Sequence, residues 1–133
     1  MKKTMFAVVA AVLLFLTACE KDKDQTTQSK IEGKWNVVRI IDKEAFVGLP
    51  VFIDTIAGTS ADYFNFRTDG KREASYDGAI DTLTYKLQGD TAILFSGTNL
   101  FKIRTLTSTQ LILHERQTFS SGDYTEETFE LKR

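Results

Sequence analysis

From Phe64 onward apolar side chains recur at every second position, and turn-forming residues interrupt them at short intervals. Phe64 and Phe66 share a face, as do Leu83, Tyr85 and Leu87, then Ile93 and Phe95, Phe101 and Ile103, Leu111 and Leu113, and Phe129 and Leu131. Successive Cβ atoms of a strand point to opposite sides, so this period of two places one face on a core and the other in water. The interruptions fall at Asp69-Gly70, Asp77-Gly78, Gly89-Asp90, Gly97-Thr98-Asn99, Thr107-Ser108 and Ser121-Gly122-Asp123. Spacings of about 8 to 14 residues are those of strands joined by tight turns. With Trp35 to Ile41 as the opening strand and Lys71 to Tyr76 as another, the count is about eight antiparallel strands. No segment keeps a 3.6-residue period between caps, so helix is minor. An open sheet of this width exposes its edges, and closure removes them. The expected fold is all-β: an antiparallel up-and-down barrel of about eight strands over residues 31–133.

The N-terminus reads differently. Lys2 and Lys3 precede twelve residues without a polar side chain, Met5 to Leu16. That is the charged start and short apolar run of an export signal. A membrane-spanning helix needs about 20 apolar residues, so the run is too short to serve as one. It ends in Leu16-Thr17-Ala18-Cys19, which resembles a bacterial lipobox, and Cys19 is the sole cysteine of the chain. The resemblance implies cleavage after residue 18 and lipidation of Cys19. Of the 17 Lys and Arg, 15 then remain against 18 Asp and Glu, a net charge of −3, so lipid rather than charge would hold the chain to a bilayer. Each buried acyl CH2 contributes about 0.8 kcal/mol to such an anchor. Residues 19–30 form the expected tether: Glu20 to Ser29 contains no apolar side chain and has nothing to bury. Ten flexible residues reach roughly 17 Å. The acidic, lysine-containing patch Glu20-Lys21-Asp22-Lys23-Asp24 resembles the surface-export signal of Bacteroidetes lipoproteins; read plainly, it is a solvated spacer.

Composition excludes several functions. A chain of 133 residues holds one modest domain. There is no basic block of the kind that binds a phosphate backbone, so nucleic acid is not an expected partner. One His and one Cys supply neither a disulfide nor the usual ligands of a transition metal. No nucleophile elbow, phosphate-binding glycine loop or carboxylate pair at metal spacing is present, so neither an enzyme nor a cofactor is expected.

The order of signals in the body resembles a known family. Ile31-Glu32-Gly33-Lys34-Trp35 is similar to the Gly-x-Trp start of lipocalins. It is followed by Tyr63-Phe64-Asn65-Phe66, Asp69-Gly70-Lys71, Thr84-Tyr85-Lys86-Leu87, Gly89-Asp90, Phe101-Lys102-Ile103, Leu106-Thr107 and Leu111-Ile112-Leu113. Together, behind a lipobox, these resemble the lipocalin-like domains of Bacteroidetes lipoproteins. The resemblance implies a barrel whose closed end is plugged by Trp35 and a location at the outer membrane, with surface exposure if the acidic patch acts as an export address. It implies no catalytic residues.

Extending the inward register along the last two strands aligns Glu115 and Gln117 with Leu111 and Leu113, and Thr125 and Glu127 with Phe129 and Leu131. Arg39, in phase with Trp35 and Val37, offers a counter-charge. The candidate binding mouth is therefore Arg39, Tyr85, Glu115, Gln117 and Glu127, orienting a small apolar ligand in an otherwise apolar pocket. The alternative is that these residues are strand ends fraying into solvent, around a fully packed barrel that binds a protein or glycan partner through its edges. Residues 42–61 are apolar for a loop, with Phe46, Val47, Leu49, Val51, Phe52, Ile53 and Ile56 around the only proline, Pro50. They form a lid, an extra edge strand that tolerates Pro50 at its start, or a partner surface. Replacing Cys19 with Ser is expected to move the protein from the membrane to the soluble fraction; continued sedimentation with membranes would contradict lipidation.

Overall fold

The opening alternation is longer than the sequence pattern indicates and runs through thirteen residues, Gly33–Ala45, as strand β1. A computed structural model describes residues 26–133. The expected export signal (1–18), the expected lipidation site Cys19 and the first part of the expected tether lie outside these residues. Eight further strands follow: β2 (Phe52–Ala57), β3 (Tyr63–Phe66), β4 (Lys71–Tyr76), β5 (Ala79–Gln88), β6 (Ala92–Phe95), β7 (Asn99–Leu106), β8 (Gln110–Thr118) and β9 (Tyr124–Lys132). From β3 to β9 each strand pairs antiparallel with its successor, and β9 returns to β1. β1, β3 and the six strands after it thus close into an eight-stranded up-and-down barrel. No helix among the described residues is long and apolar enough to cross a membrane.

The extra strand is β2. β1 uses one edge for β9 and divides the other, pairing Gly33–Asn36 with β3 and Arg39–Glu44 with β2. Of the readings open for residues 42–61, the structure shows the edge strand. Its side chains remain exposed, because only β1 lies beside it.

The barrel has a packed end and an open end. Phe64, Phe66, Tyr85, Phe95, Phe101 and Phe129 fill the interior, with ring centroids 4.9 to 6.4 Å apart in tilted and edge-on pairs. Helix α1 (Thr27–Ile31) seals the packed end. The folded body therefore begins before Ile31, inside the span expected to be tether. Thr26 caps the helix by accepting from the Ser29 N–H, and Ile31 is buried. Trp35 is completely buried beneath the helix and donates its indole N–H to the Ile31 carbonyl at 2.7 Å. Arg133 stacks 3.8 Å from the same ring and donates to the Lys30 and Glu32 carbonyls, satisfying groups that a helix terminus leaves unpaired. Trp35 therefore lies buried at the packed end, against α1.

Strand heights set the shape of the open end. The β8–β9 and β9–β1 ladders run up to Thr118↔Tyr124 and Ala45↔Tyr124, and β2 reaches Phe52 opposite Glu44. By contrast, β6 has only four residues and the β7–β8 pairing stops at Lys102↔His114. Four strands, β8-β9-β1-β2, therefore form a tall wall with a notch beside it.

Trp35→Ala is expected to lower stability by about 3–5 kcal/mol. Trp35→Phe, which keeps most of the packing but leaves the Ile31 carbonyl with only the longer Arg133 bond at 3.3 Å, should cost about 0.5–1.5 kcal/mol. Urea unfolding checks both, and a Trp35→Ala change near zero would show that the helix and Arg133 do not depend on the ring.

Candidate functional site

A β-bulge decides which charged residues line the open end. Along β1 the partners on β9 step from Val37↔Leu131 directly to Arg39↔Glu130, leaving Val38 as an extra residue. An extra residue reverses the phase of everything after it. Ile40, rather than Arg39, becomes buried, and inward alternation continues through Asp42 and Glu44. Gly58 fits the bulge closely: its N–H donates to the Val38 carbonyl at 2.9 Å, and a Cβ there would lie 2.1 Å from the Val37 carbonyl oxygen.

Arg39 is consequently not part of the mouth. It lies on the outer face, where its Nε and Nη2 fork onto Glu130 at 2.7 and 2.9 Å. Tyr85 is not there either. It is buried at the packed end, where its hydroxyl donates to the Arg67 carbonyl at 3.0 Å and accepts from Gln28 Nε2 at 2.9 Å. Its face of the sheet was read correctly, but β5 runs downward from the rim at Ala79, so Tyr85 falls low on the wall.

Glu115, Gln117 and Glu127 do come together. With Asp42, Lys43, Glu44, Thr125 and Glu126 they line a cup of about 240 Å³ at the open end. The register places Asp54↔Asp42, Asp42↔Glu127 and Glu127↔Glu115 directly opposite one another. Opposed residues of antiparallel strands share a face, with Cβ atoms about 4.5–5.5 Å apart. Four carboxylates therefore form one row across β2, β1, β9 and β8. Below them, Arg72 is buried with its guanidinium 4.7 and 5.1 Å from the Phe64 and Phe95 ring centres. Its Nη2 donates to Asp81 at 3.2 Å, and its Nε has no partner.

The electrostatics follow from this layout. Burial, followed by Asp42 and Glu115, pushes Glu127 up to about 7, and Arg72 offsets only part of that. Burial and the neighbouring Asp54 and Glu44 raise Asp42, and burial raises Glu115. Burial lowers Arg72 against the pull of Asp81 and Glu127. A second recess, about 610 Å³, occupies the notch between β7 and β8; Glu115 and Gln117 line both spaces, and Lys102, Arg104 and Arg116 line the second. Among the described residues no group of three or more His, Cys, Asp or Glu could hold a metal ion.

Asp42, Glu44, Asp54 and Arg72 are members of this end that sequence reasoning missed. The first two become visible only once the bulge is known. Arg72 sits in the charged run Lys71-Arg72-Glu73, and only its pairing with Phe66 shows that it faces inward.

No family model matches the chain, and no curated protein matches it. Among solved structures the chain is similar to a deswapped triple mutant of bovine odorant binding protein, at 24% identity over 79% of this chain and 74% of that one, with a TM-score of 0.45.

Because Glu127 titrates above its ordinary 4.5, the native state holds more protons than the unfolded chain between about 4.5 and about 7. The contribution of Glu127 to stability should therefore fall as pH rises through that window, while His114, lowered by burial, contributes in the opposite sense. Asp42 and Glu115 act in the same direction as Glu127, so Glu127→Gln should reduce the slope without abolishing it. Identical slopes for the two proteins in thermal melts would contradict the assignment.

Proposed function

We propose that this chain is a non-catalytic, lipid-anchored lipoprotein of the outer membrane whose lipocalin-like barrel binds a small molecule at its open end. The observation that carries this reading is the cup itself. Aromatic side chains fill the barrel interior, and above them the cup is lined by charged and polar side chains, with Arg72 offsetting only part of the charge at Glu127. The lining is polar throughout rather than the apolar pocket expected from the sequence, so such a ligand would be held by polar contacts to Glu115, Gln117 and Glu127. The cup is smaller than pockets for drug-sized molecules, which begin at about 300 Å³, so the ligand is small.

The described chain begins at Thr26, against the packed end, so lipid on Cys19 would leave the mouth facing away from the bilayer. A ligand could then enter from above or through the β7–β8 notch.

Native mass spectrometry of the full-length protein from its own host is expected to show a co-purifying small molecule. Gln117→Trp, which fills the cup from an exposed position, should lose it. A ligand-free wild-type chain, or retention in Gln117→Trp, would overturn the reading.

A further inference from the structure

The β1–β2 hairpin exposes what a soluble protein ordinarily covers. Among the described residues eleven large apolar side chains are exposed, and seven of them lie between Phe46 and Ile56. Within that span β2 pairs with β1 alone, so its other edge presents unpaired backbone groups along Phe52–Ala57. Edges of this kind are usually protected by lysine, proline or a bulge. β2 carries none of these; its only charge is Asp54.

We propose that this edge pairs with the same edge of a second copy of the chain, forming an antiparallel homodimer centred on Thr55. The sequence of the strand selects both the partner and the register. A two-fold axis that pairs identical antiparallel edges keeps their faces aligned, so a residue can oppose only one of the same parity. Centring on Asp54 would set two carboxylates opposite each other, which is destabilising. Moving the centre one residue to Thr55 places Ile53 opposite Ala57 of the second copy, Asp54 opposite Ile56, and the two threonines opposite each other. All five residues then pair, and no like charges meet. The product is one eight-stranded sheet, β8-β9-β1-β2 and its symmetry mate, with both carboxylate rows on the same face. A strand this short buries less than the roughly 800 Å² per partner typical of stable complexes. Confinement of both copies to one membrane would raise their effective concentration. The dimer goes beyond the ligand reading and does not require it.

The test is oxidative cross-linking of the full-length chain in its own membranes, with the wild type, whose sole cysteine is Cys19, as control. Thr55→Cys is expected to give a band of twice the monomer mass. Ile53→Cys should not, because opposed copies of that position lie four residues out of register. Sedimentation in detergent supplies a second readout. Thr55→Lys, which opposes two ammonium groups on a solvent-facing position, should weaken the dimer about tenfold or more relative to Thr55→Val. Absence of the Thr55→Cys dimer, equal cross-linking from Ile53→Cys, or a cross-linked product of any other mass would overturn the proposal. Loss of ligand from the cup with the Thr55→Cys dimer intact would count against the binding reading alone.

Discussion

The β1–β9 ladder is the constraint from which the other features follow. Nine register pairs, from Asn36↔Lys132 to Ala45↔Tyr124, join the first strand to the last and turn an eight-stranded ribbon into a barrel. Without it, β9 and the facing edge of β1 along Asn36–Ala45 would both be free edges, and the aromatic interior would face water. The same ladder contains the bulge at Val38. One extra residue there separates a lower half of β1 that packs Trp35 and Val37 from an upper half that directs Asp42 and Glu44 inward.

Two opposite electrostatic solutions result from one strand. At the packed end Arg133 lies on Trp35, with its donors on helix carbonyls, and nothing there needs water. At the open end four carboxylates share a row, and Arg72 is engaged with Asp81 beneath them. Directly opposed like charges oppose folding, and incomplete burial limits that cost. A raised Glu127 is the expected consequence: part of its population takes up a proton rather than carry an uncompensated charge. The barrel is thus well determined where the chain enters and frustrated where the cup opens, as a binding site placed on a rigid scaffold would be.

Much of the fold was legible because a period of two is a local signal. The pairs Phe64/Phe66, Ile93/Phe95, Leu111/Leu113 and Phe129/Leu131 each contribute an inward face, and the turn residues separate the strands correctly. Glu115, Gln117 and Glu127 were found by carrying that period upward along β8 and β9, where no bulge intervenes. Arg39 was misplaced because the bulge depends on Gly58 and the β9 register, which no window around Val38 reveals. Tyr85 shows a different limit: alternation gives the face but not the height, and height depends on how far neighbouring strands extend. The start of the body at Thr26 was hidden because a five-residue helix has too few turns to show a period.

Closure of the barrel can be measured through backbone amide hydrogen exchange on the mature chain. If β1 and β9 join as described, the amides of Ile40–Glu44 that bond to β9 exchange only through global unfolding and share one denaturant dependence with those of β8. The amides of the exposed turn at Gly89-Asp90 exchange much faster. Ile40–Glu44 amides that exchanged as quickly as that turn, with no denaturant dependence, would mean that the first and last strands do not meet.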